Sequence, residues 1–252
     1  MKLLRRFARR LGFELVPLGK AREPARRLVN ALERFAVDLV VDGGANEGQY
    51  ARLLRASGWR GPILSIEPIP ELRARLARRA SSDPLWTVAP AFALGPRTGE
   101  IALHVFAETD MSSVLAPGPV LARLSPALRS SRRVSVPMIR LDELEPVRSG
   151  PWRRIFLKLD VQGYEAAVLD GAAALWPRIV GVQLELSLVP LYEGETDWRG
   201  MIDRMAGLGY VPWLFLPGYV EPGSARELQM DGIFFREDAL PRGATGTDHD
   251  RG

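Results

Sequence analysis

The sequence predicts an α/β domain wound on both sides of a seven-stranded, mostly parallel sheet, with an antiparallel closing strand and a β-hairpin or lid insertion. Three observations carry this. The apolar run from Leu39 to Val41 ends in Asp42, breaks into Gly43, Gly44, Ala45, Asn46, Glu47 and Gly48, and then turns helical at Gln49 and Tyr50. That is the order of a first strand, a tight ligand loop and a first helix in a doubly wound domain. Apolar runs then alternate with amphipathic segments, the pattern of βαβ units with right-handed crossovers. Finally, four acids, Asp42, Glu67, Asp160 and Glu185, stand at or near the ends of strand-like runs, where open α/β sheets bind their ligands.

The elements follow in order. Residues 1–13 form an amphipathic helix with Leu3, Leu4, Phe7 and Leu11 on one face and Arg5, Arg6, Arg9 and Arg10 around it. Packing on the domain or a partner is the favoured reading, and docking on an anionic membrane surface the alternative. A second helix, 23–35, leads into the first strand. The next helix spans 45–57 and stops at Gly58. A strand at 62–67, a helix at 70–80 and a strand region at 85–94 come next. The rhythm then changes. Strands at 99–106 and 133–141 flank a polar, Pro- and Ser-rich stretch from 108 to 131, too long for an idle connection and read as a lid on the substrate side. Alternation resumes with a buried strand at 154–160, a helix at 163–175, a strand at 179–186 and a helix at 197–208. Strands at 210–216 and 232–236 close the sheet as an antiparallel pair. The organisation is residues 1–36 as N-terminal helices, 37–238 as the main domain with an insert at 95–141, and 239–252 as a disordered tail.

Composition narrows the chemistry. The 252 residues contain no cysteine, so disulfides, thiolate-held metals and thiol nucleophiles are excluded. His104 and His249 are the only histidines, too few for a histidine metal cluster or a triad, so a carboxylate is expected as general base, or there is none. No apolar run reaches the length of a membrane span, and no apolar stretch follows the basic start as in a signal peptide. A cytoplasmic protein is expected, with membrane contact confined to residues 1–13. The net charge is +4, but the basic residues are dispersed, so no nucleic-acid partner is expected.

The loop indicates its ligand. A pyrophosphate asks for three closely spaced glycines and an anion-free helix start. Here the order from Asp42 through Gly44 and Asn46 to Gly48 differs, and Glu47 sits where it would repel phosphate. S-adenosyl-L-methionine has no phosphate and carries an ammonium, a sulfonium and a ribose, so nearby acids help it. An NAD-dependent nucleotide-sugar dehydrogenase or epimerase is the runner-up. A non-catalytic glycan- or partner-binding protein on the same fold is the third reading.

Glu67, one βα unit after the loop, is placed to accept both ribose hydroxyls, with Pro68 beside it. Asp42 is expected near the methionyl ammonium or ordering the loop. Phe92 and Ala93 border the adenine, with a core role for Phe92 equally expected. Lys158 and Asp160 lie two apart on one strand and share a side of the sheet. A lysine inside a buried strand needs a partner, and Asp160 or Glu185 supplies it. Asp160 would take or position the proton of an attacking hydroxyl while Lys158 tunes it. Asp160, Glu185 and Asp231 holding a divalent cation is a weaker alternative, and no metal is assigned.

The motifs resemble those of the FkbM family of S-adenosylmethionine-dependent methyltransferases. They are Val41 to Tyr50, Ser65 to Pro68, Arg140 to Leu144, Leu157 to Glu165 with Val168 to Ala172, Leu184 to Leu186, and Asp231 to Phe235. The resemblance spans roughly residues 38–237 and implies a Rossmann-like class I methyltransferase fold. It also implies O-methylation of a hydroxyl on a sugar, glycolipid or polyketide-type product. Carried over, it gives Asp42, Gly44, Asn46, Gly48 and Glu67 to the cofactor, and Lys158, Asp160 and Glu185 to the acceptor. Gln162 stands where the family often has Glu, and Gly43 where it often has Val; neither departure touches an assigned role. Ser112 and Ser113 in the insert are candidates to hydrogen-bond a polyol.

Overall fold

A computed structural model describes residues 23–107, 109–125, 128 and 131–240. The basic segment 1–13 and the tail beyond 240 lie outside the described residues. Among the described residues no helix is long and apolar enough to cross a membrane.

The main sheet uses β1 (Leu39–Gly43), β2 (Ile63–Ile66), β3 (Trp86–Val88), β7 (Ile155–Leu159), β8 (Ile179–Ser187), β9 (Tyr210–Pro217) and β10 (Gln229–Arg236). Its order is β3-β2-β1-β7-β8-β10-β9. Every pairing is parallel except those of β10, which runs against both neighbours. The closing strand is therefore not at the edge: β10 inserts between β8 and β9. This strand order is that of the Rossmann-like class I methyltransferase fold. The central strands β1 and β7 are buried at every position, as strands covered on both faces must be.

Helices cover both faces. On one side lie α1 (Glu23–Arg34), α2 (Gln49–Ser57) and α3 (Pro70–Ala80). There Phe35, just after α1, stacks on Phe235 of β10 at 4.1 Å between ring centroids. Leu28, Leu32 and Phe35 are all but fully buried, each contributing about 1.5–3 kcal/mol. The other face is covered by α6 (Glu165–Asp170) and α7 (Trp198–Gly207), whose Val168, Leu169, Met201 and Met205 pack on Leu157, Val182 and Leu184.

Three expected elements differ. The helix expected over 45–57 starts at Gln49, because Gly48 takes φ +84°, incompatible with a right-handed helix. The region 85–94 is not one strand: β3 ends at Val88, Pro90 withholds an amide, and β4 (Ala93–Leu94) joins a separate three-stranded sheet. That sheet also contains β5 (Gly99–Val105) and β6 (Arg132–Ile139), which pair antiparallel. The helix expected over 163–175 breaks at Gly171. A Cβ there would lie 2.0 Å from the Gly95 carbonyl oxygen, so the chains touch backbone to backbone.

The stretch expected to act as a lid forms one wall of the ligand cavity. Its short helix α4 (Pro119–Leu124) buries Leu121 against Phe106, Leu191, Tyr192 and Leu228. Gly118 N donates to Leu191 O at 2.6 Å and Glu193 N to Ala116 O at 2.9 Å, pinning the insert to the loop after β8.

Candidate active site

A cavity of about 230 Å³ opens beyond the carboxyl ends of β1, β2 and β7. This is the crevice where strand order reverses, the place open α/β sheets reserve for ligands. Gly44, Asn46, Glu67, Pro68, Phe92 and Ala93 line it, as do Lys158, Asp160 and Gln162, with Thr109, Asp110, Ser112 and Ser113 contributed by the insert.

Gly44 is at φ +75°, and a Cβ there would stand 1.8 Å from the Asp160 carbonyl oxygen. The loop and the end of β7 can touch only through a glycine. Gly43 and Gly48, expected to hold the cofactor, are not among the residues that line the cavity. Gly43 packs against Leu159 and Leu94, and Gly48 leaves room for the Trp86 ring, 2.7 Å from where its Cβ would be. Asn46 takes φ +47°, the region Asn tolerates best among side-chain-bearing residues.

The loop amides are all spoken for. Gly44 N and Ala45 N donate to Ile66 O at 3.1 and 3.0 Å, and Gly48 N to Ala45 O at 2.8 Å. Asn46 N donates to Glu67 Oε2 at 2.8 Å and Glu47 N to Gln49 Oε1 at 3.0 Å. No amide from 44 to 48 remains for a pyrophosphate. This corrects the reason for excluding one. Glu47 does not face the ligand; it turns to α3, where Arg75 at 2.7 Å and Arg79 at 2.5 Å neutralise it.

Glu67 is 4% exposed, and its other oxygen accepts from Ile69 N at 2.9 Å. Burial raises its pKa to about 7 against the pull of these two amides.

A polar row crosses the sheet on the α2 side. Trp86 Nε1 donates to Ser65 Oγ at 3.0 Å, and Ser65 Oγ donates to Asp42 Oδ2 at 3.1 Å. Lys158 Nζ lies 3.1 Å from Asp42 Oδ1 and 3.2 Å from Asp160 Oδ2. The ammonium also sits 5.2 Å from the centre of the Tyr50 ring. Parallel register aligns these side chains, with Asp42 opposite both Ser65 and Lys158. Asp42 is fully buried and does not reach the cavity; its carboxylate is the counter-ion of the lysine. Burial opposes the charge on Lys158, but Asp160 and Asp42 outweigh it and raise its pKa, so it stays cationic.

Asp160 keeps 36% of its side chain exposed, on the cavity. Burial works to raise its pKa, yet Lys158 and hydrogen bonds from Glu185 and Gln162 lower it. Glu185 goes the other way: burial and the Asp160 charge push its pKa well up. The two carboxyls are thus pushed in opposite directions. Glu185 stands behind the cavity wall and connects through Gln162. The amide Nε2 of Gln162 donates to Asp160 Oδ1 and to Glu185 Oε2, each at 2.7 Å. Gln162 therefore contacts two residues with assigned roles, which corrects the expectation that its departure from the family touches neither. The sequence signal was the Gln-Gly pair after a strand-ending acid, a turn signature whose side-chain aim only the fold supplies. Among the described residues no group of three metal-ligating side chains converges.

The profile of the Methyltransferase FkbM domain matches residues 42–212, a span holding the loop, Glu67, Asp160 and Glu185. The chain belongs to the FkbM methyltransferase family. It is a methyltransferase, and its methyl donor is S-adenosyl-L-methionine. The loop fits such a donor: it has no free amide for phosphate, and a buried carboxylate lines the wall. A search of curated proteins finds no match. Solved structures similar to this chain include magnesium protoporphyrin IX methyltransferase from Synechocystis. It is 9% identical, with 86% of this chain and 78% of that one covered and a TM-score of 0.45. Precorrin-6y C5,15-methyltransferase from Geobacter metallireducens is 10% identical, with 84% and 87% covered and a TM-score of 0.42. An rRNA methylase from Streptococcus thermophilus is 8% identical, with 88% and 97% covered and a TM-score of 0.42. The family assignment owes nothing to these neighbours and rests on the profile match.

Proposed function

We propose that this FkbM-family methyltransferase methylates a hydroxyl oxygen of a sugar, glycolipid or polyketide-type product. The observation that carries the reading is Asp160, a charged carboxylate on the cavity wall, fixed by Lys158 and Gln162. An attacking hydroxyl must shed its proton as the oxygen takes the methyl group, and Asp160 is a carboxylate on the cavity wall, held by Lys158 and Gln162, that can accept it. When bound, S-adenosyl-L-methionine supplies an electrophilic methyl and leaves as a neutral thioether. The protein's part is to orient the hydroxyl, exclude water and accept the proton, and such orientation supplies much of the rate. Ser112 and Thr109 offer hydroxyls to a polyol; Ser113, expected to do the same, is buried and spends its hydroxyl on the Gln162 carbonyl and the Leu115 amide.

Glu67 would accept the ribose hydroxyls, with Pro68, Phe92 and Ala93 beside the adenine. Its raised pKa makes a testable pH dependence. The ionised carboxylate is the better acceptor, so affinity for S-adenosylhomocysteine should strengthen as pH rises through about 7. Glu67→Gln should weaken binding by about tenfold and flatten that dependence in calorimetric titrations. A wild-type affinity unchanged from acid to alkaline buffer removes Glu67 from this role.

The functional reading is tested by incubating the protein with methyl-tritiated S-adenosylmethionine and panels of glycosides, glycolipids and macrolides. Alkali-stable label, as expected of a methyl ether, supports it. Label found only in amines or in alkali-labile esters defeats it.

A further inference from the structure

Gln162 has a backbone conformation and a bond set that the fold alone does not require. Its φ is +55°, in the left-handed region, where side-chain-bearing residues are uncommon and strain gathers at functional sites. The side chain is buried, and each of its polar groups is used. Nε2 donates to Asp160 Oδ1 and Glu185 Oε2, and Oε1 accepts from the Tyr192 hydroxyl at 2.7 Å. The backbone oxygen accepts from Ser113 Oγ at 2.6 Å. Chemistry fixes which way the amide points. An ionised carboxylate only accepts, so the NH₂ end must face Asp160, which leaves the amide oxygen to accept from the Tyr192 hydroxyl.

We propose that Gln162 is a positioning residue for methyl transfer: it holds the Asp160 and Glu185 carboxyls in a fixed arrangement, and couples them through Tyr192 and Ser113 to the insert that walls the acceptor side. The proposal rests on the reading of Asp160 as the proton acceptor. An amide suits this task because it donates twice and never ionises. A carboxylate of the same shape would bring a third acid against two others and would have no proton to donate unless it took one up.

The titratable groups that act on the Asp160 carboxylate are Lys158, Glu185 on β8, Asp231 on β10, Glu165 on α6 and Tyr192 beyond β8, with Asp42 on the far side of Lys158 and Glu195 beside Glu165. Only Lys158 is cationic among them. Little buffers Asp160 against a further acid.

The test reads Asp160 directly. The full-length protein, with side-chain carboxyls carbon-13 labelled in aspartate and glutamate and saturated with S-adenosylhomocysteine, is titrated by NMR. Asp160 is assigned as the signal missing in Asp160→Asn. In Gln162→Glu the Asp160 midpoint should move upward by about one pH unit or more. Gln162→Asn suits the left-handed backbone but is too short to bridge, and it should also move the midpoint upward. Calorimetric affinity for S-adenosylhomocysteine should stay within about threefold in both, showing that the loop is intact. An Asp160 midpoint unmoved in both variants overturns the proposal. Should Asp160 move as expected while no hydroxyl acceptor is ever methylated, the positioning stands and the proposed acceptor chemistry falls.

Discussion

Asp160→Asn should lower methyl transfer by about 100- to 10,000-fold, the range general base catalysis supplies, while S-adenosylhomocysteine still binds. The size follows from the surroundings. Asp160 Oδ2 faces the Lys158 ammonium at 3.2 Å, and Oδ1 faces the Gln162 amide at 2.7 Å. Both neighbours are donors, so an asparagine must turn its own NH₂ toward one of them, and either orientation costs a hydrogen bond. The substitution also removes the charge that takes the proton. Lys158 keeps Asp42 as its counter-ion at 3.1 Å, so the variant should remain folded. The pH profile adds a check. Because the wild-type Asp160 pKa is lowered, the base form persists to below the ordinary aspartate value of about 3.9. The acid limb of kcat at saturating S-adenosylmethionine should lie there, apart from the Glu67 titration near 7 that enters through cofactor binding. Turnover in Asp160→Asn within threefold of wild type would remove Asp160 as proton acceptor.

The path from sequence to this site was legible where one element sufficed. The acid-loop-helix order after β1, the α3 helix Pro70–Ala80 and the pairing of Lys158 with Asp160 on one strand all follow from local spacing. What stayed hidden depends on partners distant in the chain. Glu47 lies 28 residues from Arg75, and nothing near it in sequence says that it turns away from the ligand. Asp42 and Lys158 are 116 positions apart, and only the parallel register of β1 and β7 makes the acid a counter-ion. Gln162 shows a second limit. Sequence spacing puts it next to an acid, but its aim toward Glu185 and Tyr192 comes from a left-handed turn that a side-chain-bearing residue seldom takes. The errors at 45–48 and 163–175 have a related cause: Gly48 and Gly171 obey a tryptophan ring and a carbonyl from other segments.

Lys158→Met should be the most damaging change to stability, costing about 3–5 kcal/mol at neutral pH. Methionine fills the same volume, so the loss is electrostatic. Asp42 is fully buried, and its hydrogen bond from Ser65 does not replace the ammonium. Removing one partner of a buried pair leaves a charge with no water to solvate it. In a chain of this size the midpoint of thermal unfolding should fall by about 6–20 °C. The pH dependence follows from the lysine. Lys158 has a raised pKa, so in wild type its contribution is fully present below the ordinary lysine value of about 10.4. That contribution is lost only as pH rises through the still higher folded value, so it is flat across neutral and acidic buffers. Adding Asp42→Asn to Lys158→Met removes the orphaned charge and should restore most of the loss, because exchanging both members of a buried pair costs far less than breaking it. Urea unfolding of the two single variants and the double variant measures the coupling directly. A deficit under about 1 kcal/mol for Lys158→Met would mean that the row across the sheet is held by packing and not by its charges.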